Sequence, residues 1–222
     1  VFLLRTSGQM ILRLDCSSDV CSSDLVISLL ALWRIGKIPA VLNYSSGVPL
    51  MLTCSELAGL RQVITSRVFL AKAKLDVTPM KAAGIEFVYL EDIRKRISGL
   101  AKLGVFLKHR LALGRARFGI PAGQTAVILF TSGSEGVPKG VELTHRNILA
   151  NLRQLLSAVD LVDSDSLFNC LPMFHSYGMV VGTLLPLCRG LRLYQFPVPL
   201  PFRQVPTAAY NSNDNLLPTN KT

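Results

Sequence analysis

No apolar run in this chain approaches the roughly eighteen residues that a bilayer-spanning helix requires. The longest, "MVVGTLLPLC" (179–188), is interrupted by a glycine and a proline. The amino end lacks the charged, apolar and small-residue layout of a secretory signal, so a cytoplasmic protein is expected. Cysteine is sparse: Cys16, Cys21, Cys54, Cys170 and Cys188 form no CxxC pair. That spacing argues against a disulfide framework or a structural zinc site, and leaves buried or incidental thiols. Charged residues make up 17% of the chain and hydrophobic residues 50%, a balance that excludes a disordered protein. Acid is missing altogether between Arg94 and Arg117, where eight Lys and Arg occur (94, 95, 96, 102, 108, 110, 115 and 117). Elsewhere 16 bases face 14 acids, so the net charge of +10 has a local origin.

What is present suits one core or part of a larger domain, since 222 residues can bury a sizeable apolar interior. The chain opens on Val1 rather than methionine, and a piece of a longer protein is expected. Residues 16–25, "CSSDVCSSDL", repeat CSSD after five positions, a spacing that neither helix nor strand demands. As metal ligands Cys16, Asp19, Cys21 and Asp24 fit no familiar site. The stretch resembles translated sequencing-library adapter, so residues 1–25 are set apart as anomalous.

From Val26 the pattern becomes regular. "VISLLALWRIGK" predicts a helix, "IPAVLN" a short strand, "LTCSELAGL" a helix, "QVITS" a strand, "RVFLAKAKL" a helix and "EFVYL" (86–90) a strand. The alternation resumes with "TAVILF" (125–130), a loop, and a helix from about Thr144. That helix sets Ile148, Leu149, Leu152, Leu155, Leu156 and Val159 on one stripe, with Thr144 as its N-cap. "SLFNCL" (166–171), "YGMVVGTLLPL" and "LRLYQF" follow as strand, buried helix and strand. Strands alternating with helices predict an α/β fold with a mostly parallel sheet and flanking helices. The domain is expected over residues 26–205, and 206–222 form a polar tail without core residues.

Within residues 92–119, Ile93, Ile97, Leu100, Leu103, Leu107 and Leu111 recur every three or four positions. The spacing predicts one amphipathic helix over 93–117 with Lys and Arg beside its apolar stripe. Such a helix suits either an anionic membrane surface, on the inner face of the membrane, or packing on its own domain with a solvated basic face. An acidic carrier protein fits the same charge. Nucleic acid is not expected, because aromatics do not interleave with the bases.

The stretch with most chemistry is "FTSGSEGVPKG" (130–140). Gly133, Gly136 and Gly140 permit tight turns and close ligand approach. Thr131, Ser132 and Ser134 offer hydroxyls, successive N–H groups can nest an anion, and Lys139 adds a mobile positive charge. A plain exposed turn is the alternative. The familiar phosphate-loop pattern of Gly, four residues and Gly-Lys-Ser/Thr fails here, with Pro138 before Lys139 and Gly140 after it. About thirty residues on, "LPMFHSYGM" (171–179) sits at the end of a predicted strand, where parallel sheets usually hold ligands.

Together, "ILFTSGSEGVPKGVELTHRNI" and "LPMFHSYG" resemble the adenylate-forming superfamily of acyl-CoA synthetases, luciferases and peptide-synthetase adenylation domains. Most members carry threonine where this chain has Glu135. "TSGSEG", "GKIPAVLNYSSG" (36–47), "ITSRVFLAKAKL" (64–75) and "EFVYLEDIR" (86–94) resemble the acyl-ACP synthetase branch, which includes bifunctional 2-acylglycerophosphoethanolamine acyltransferase/acyl-ACP synthetases. The resemblance implies part of the N-terminal subdomain of a long-chain fatty acid ligase. Such an enzyme uses ATP and Mg²⁺ to form an acyl adenylate, passes the acyl group to acyl carrier protein or CoA, and serves phospholipid acyl recycling. It further implies that Thr131, Ser132, Gly133, Ser134, Gly136 and Lys139 hold the β- and γ-phosphates, and that His175 lies beside the reacting carboxylate and α-phosphate. Lys139 and His175 are thus the candidate catalytic residues. Glu135 either faces away or helps place the metal, whose ligands are unassigned. Tyr177 and Gly178 are expected at the acyl pocket, His145 in a structural role and His109 on the basic face. The adenine, ribose, magnesium and catalytic-lysine motifs of the family's later segments are absent, as is the acyltransferase signature of His followed five residues later by Asp. Little or no adenylation is expected from this stretch alone. The competing expectation is a non-catalytic fragment that binds membrane or carrier through helix 93–117.

Overall fold

A computed structural model of the chain describes residues 22–110, 119–132 and 137–195. The anomalous residues 1–21 and the polar tail lie outside them, as do Leu111, Arg115 and Arg117 of the basic segment. The first helix, α1 (Ser22–Arg34), begins inside the CSSD repeat, and Asp24 there pairs with Arg94 at 2.5 Å.

Seven short strands form three sheets among the described residues. β1 (Ala40–Val41) pairs in parallel with β4 (Thr125–Ser132), which pairs antiparallel with β5 (Pro138–Thr144). β2 (Gln62–Thr65) and β3 (Glu86–Tyr89) form a parallel pair, as do β6 (Ser166–Asn169) and β7 (Arg192–Gln195). Between them lie α2 (Val48–Leu57), α3 (Arg67–Lys72), α4 (Thr78–Ala82), α5 (Leu90–Arg96), α6 (Gly99–Arg110) and α7 (His145–Ala158). α8 (Ser176–Met179) runs through a π-turn (Val180–Leu184) into α9 (Leu185–Arg189). The expected α/β alternation holds. Strand β5 was not expected: "VPKGVELT" reads as loop because its Pro and Gly obscure the period of two.

Two other departures have local causes. The single helix expected over 93–117 divides at Ile97, whose ψ of 105° is extended, and Ser98 Oγ then accepts the Ala101 N–H at 3.2 Å to start α6. The short α4 went unnoticed because Pro79 masks a one-turn helix that Asp76 Oδ1 opens by accepting the Thr78 N–H at 3.0 Å. The stripe of α7 is graded: Ile148 and Leu152 are buried, Leu155 and Leu156 half-buried, Leu149 and Val159 exposed.

The main core joins Val26, Leu29 and Trp33 of α1 to Ala126, Val127 and Leu129 of β4, to α7, and to Met173, Met179 and Val180. A smaller core of Met51, Met80 and Ile85 lies with Val63 and Phe87 of β2 and β3. The junction of the main core is a β-bulge. Thr125 pairs with Thr144 and Val127 with Leu143, which leaves Ala126 as the extra residue. An extra residue drops out of the ladder, and the Trp33 indole Nε1–H donates to the Ala126 carbonyl at 2.6 Å. The same indole meets the His145 ring edge-on, with 5.2 Å between centroids.

Thr144 ends β5 and caps α7 at once. Its Oγ1 accepts the Asn147 N–H at 3.1 Å, while Asn147 Oδ1 accepts the Thr144 N–H at 3.0 Å. The next two amides donate backward, His145 to the Gln124 carbonyl at 3.1 Å and Arg146 to the Ala122 carbonyl at 2.8 Å. Nothing separates strand from helix, so the hairpin fixes where α7 begins.

Two predictions follow from this junction. Trp33→Phe leaves the buried Ala126 carbonyl without its donor and should cost about 1–3 kcal/mol, read from urea unfolding followed by circular dichroism. Burial holds the His145 pKa below the ordinary histidine value. Its neutral form is therefore favoured in the folded state, so this contribution is complete above about pH 6.5 and is lost as pH falls toward the lower folded pKa. The urea midpoint should drop between about pH 7.5 and about pH 5, and His145→Gln should drop less.

Candidate functional site

The hairpin register sets Thr131 opposite Lys139 and Ser132 opposite Pro138. Residues directly opposite on an antiparallel pair share a face, so a hydroxyl and an ammonium stand together where the Ser/Gly loop leaves the sheet. Both residues are exposed. Pro138 is buried at the first position of β5, a strand position that tolerates the missing N–H. Gly133, Ser134, Glu135 and Gly136, and the side chain of Ser132, lie outside the described residues.

His175 occupies the turn after β6. Its N–H donates to the Pro172 carbonyl at 3.2 Å and its own carbonyl accepts the Met179 N–H at 2.9 Å, which places it at the N-cap of α8. The ring is exposed but flanked: Phe174 lies 4.8 Å away between centroids, and Phe174 meets Tyr44 edge-on at 5.8 Å. The described contacts do not join His175 to Thr131 or Lys139. The two groups stand on different sheets and share the main core beneath them.

At Ser176, the residue after His175, opens a cleft of about 350 Å³, with Leu143, Asn147 and Ile148 on one wall and Tyr177, Val180 and Val181 on the other; His175 does not line it. The walls are chiefly apolar, and the volume falls in the range of about 300–1,000 Å³ common for small-molecule sites. Tyr177 thus lines the cleft. Gly178 faces away from it, because a Cβ there would collide with the Pro172 carbonyl; it serves the close passage of α8 over the 171–172 backbone.

A positioning residue that the sequence reading passed over is Asn169, fully buried at the carboxyl end of β6. Its Oδ1 accepts the Leu171 N–H at 3.0 Å and its Nδ2 donates to Gln195 Oε1 at 3.2 Å, across the last register pair of β6 and β7. Asn169 therefore fixes the first step of the turn that carries His175. The signal available is an amide residue set inside the otherwise largely apolar run "SLFNCL". Gly182 packs against the Asn169 side chain with no room for a Cβ, and Pro186 has no N–H for the Gly182 carbonyl, a combination that suits the wider π-turn between α8 and α9.

Cys54, Cys170 and Cys188 are free thiols whose pKa values are raised by burial, which disfavours the reactive thiolate. Among the described residues no group of three His, Cys, Asp or Glu could hold a metal ion. A magnesium ion fits only in the manner in which it accompanies nucleotides, bound largely by phosphate oxygens and water.

Gly182→Ala should push the Asn169 side chain out of its pair and destabilise the fold by about 1–3 kcal/mol, read as a lowered urea midpoint with Trp33 fluorescence as the probe.

The sequence profile of the AMP-binding enzyme family matches residues 21–210. A medium-chain fatty-acid–CoA ligase of Escherichia coli (strain K12) is 42% identical over 69 residues, 31% of this chain and 12% of the relative. A medium-chain-fatty-acid–[acyl-carrier-protein] ligase, TtuA, of Teredinibacter turnerae is 38% identical over 79 residues, 36% of this chain and 12% of the relative. Among solved structures, McyG A-PCP complexed with phenylalanyl-adenylate superposes with a TM-score of 0.68 at 21% identity, over 89% of this chain and 30% of that one. The o-succinylbenzoate CoA synthetase MenE of Bacillus subtilis, in complex with ATP and magnesium, gives 0.67 at 16% identity, over 88% of this chain and 36% of that one. The matches thus span well under half the length of these proteins. The fold is that of the N-terminal domain of adenylate-forming enzymes, of which this chain covers a part, and the chain belongs to the AMP-binding enzyme family.

Proposed function

We propose that the chain is part of an ATP-dependent ligase that activates a fatty acid as its acyl adenylate and passes the acyl group to acyl carrier protein or CoA. The observation that carries this reading is the register pair that holds Thr131 across from Lys139 at the mouth of the 133–136 loop. The names of the E. coli and T. turnerae relatives, one a CoA ligase and one an acyl-carrier-protein ligase, support both acceptors. Glu135 within "TSGSEG" supports the acyl-ACP branch, with long-chain acids of phospholipid recycling as substrates.

The chemistry is a displacement at phosphorus. A carboxylate oxygen bonds to the α-phosphorus, the bond to the bridging oxygen of the β-phosphate breaks, and its electron pair leaves with pyrophosphate. Lys139, Thr131, Ser132, Ser134 and the N–H groups about Gly133 and Gly136 meet the negative charge that grows on the leaving group. Donors so aimed lower the barrier because charge develops there during the reaction. Magnesium, when bound, supplies further neutralisation of the phosphates. His175, steadied by Phe174 and by the Asn169-anchored turn, orients the carboxylate and donates to the forming adenylate. The apolar cleft that opens from Ser176 and Tyr177 takes the acyl chain.

The full-length protein should catalyse ATP–pyrophosphate exchange only when fatty acid is present. Lys139→Ala should lower that exchange about a hundredfold or more, and His175→Ala should lower it by a comparable factor through lost alignment. Exchange that proceeds equally without fatty acid, or that ignores Lys139→Ala, would falsify the reading.

A further inference from the structure

The basic helix is not absorbed by the ligase chemistry. From Arg94 to Leu107 every described residue is exposed. Leu100, Leu103 and Leu107, spaced to share one side of α6, are 81%, 52% and 46% exposed, and Phe106 widens that side at 63%, whereas Val105 falls on the opposite side. Among the described residues, neither hydrophobic core takes a side chain from α6. No helix among the described residues is long and apolar enough to cross a membrane, so this one can only lie along a surface. The charge beside it has one sign: Lys95, Arg96 and Lys102 are exposed, Lys108 and Arg110 follow in the same helix, and no acid occurs after Asp92 until well past the segment.

An interior contact would bury leucines and exclude such a density of like charge. A broad apolar side next to lysine and arginine is instead the pattern of a helix lying in the headgroup layer of an anionic bilayer, where the leucines enter the acyl boundary and the bases meet phosphate. We propose that α5 and α6 dock this protein onto an anionic membrane surface. An acidic carrier protein fits the charge but leaves the arc from Leu100 through Phe106 uncovered, since recognition by charge alone calls for no such apolar breadth. The inference stands apart from the ligase reading, because docking needs neither the loop nor His175.

The test is co-sedimentation of the 222-residue chain with vesicles of phosphatidylcholine alone and of an equimolar mixture with phosphatidylglycerol. Binding to the anionic vesicles should exceed binding to the neutral ones at least about tenfold and weaken with salt. The triple variant Lys95→Ser, Arg96→Ser, Lys102→Ser should lose about a hundredfold, at about fivefold per base. Leu103→Gln with Leu107→Gln should abolish the remaining apolar anchoring, and unchanged Trp33 fluorescence would show the fold intact. Equal binding to both vesicle types, no binding to either, or binding that survives the leucine variant overturns the proposal. So does capture by apo acyl carrier protein when vesicles are ignored.

Discussion

The antiparallel pairing of β4 with β5 is the constraint on which the rest depends. It makes one chain segment serve three ends. At the far end it sets Thr131 opposite Lys139 and Ser132 opposite Pro138. At the near end it delivers Thr144 as both the last strand residue and the cap of α7. In between, the bulge at Ala126 frees a carbonyl for Trp33, which ties α1 to the same sheet. A shift of one residue in this register would separate the Thr131–Lys139 pair and turn the apolar residues of β4 out of the core.

The candidate site is consequently assembled from two supports. Thr131 and Lys139 stand on the hairpin, and His175 stands on the turn after β6. Each support has its own buried fastening, Trp33 to Ala126 in the first and Asn169 to Leu171 and Gln195 in the second. The core of α7 and the π-turn lies between them, and the apolar cleft opens along that boundary. A reaction that joins a carboxylate at one support to a phosphate at the other suits such a division. Separate fastening of the two supports is one way to keep such groups in alignment.

Much of this was legible in the sequence because it rests on local rules. The apolar runs of β2, β3, β4 and β6, the Thr144 cap and the stripe of α7 all follow from periodicity and capping chemistry. What escaped depended on partners distant in sequence. β5 is a strand because β4 lies beside it, although Pro138 and Gly140 weaken its own pattern. Asn169 matters because Gln195 and Gly182 arrive from elsewhere to surround it. The basic segment was periodic enough to read as one helix, yet Ile97 turns extended and Ser98 restarts it. The candidate loop stands out by its residue types and their order, and the residues that flank it, Thr131 and Lys139, are set face to face by a pairing that no local rule reveals.

The central claim, that a fatty acid carboxylate attacks the α-phosphorus of ATP, is tested most directly by following oxygen. The full-length protein is given fatty acid labelled with ¹⁸O in its carboxylate, together with ATP and the thiol acceptor, and the products are weighed by mass spectrometry. The account predicts that AMP gains one labelled oxygen while pyrophosphate gains none. Label in inorganic phosphate, with ADP as the other product, would contradict it.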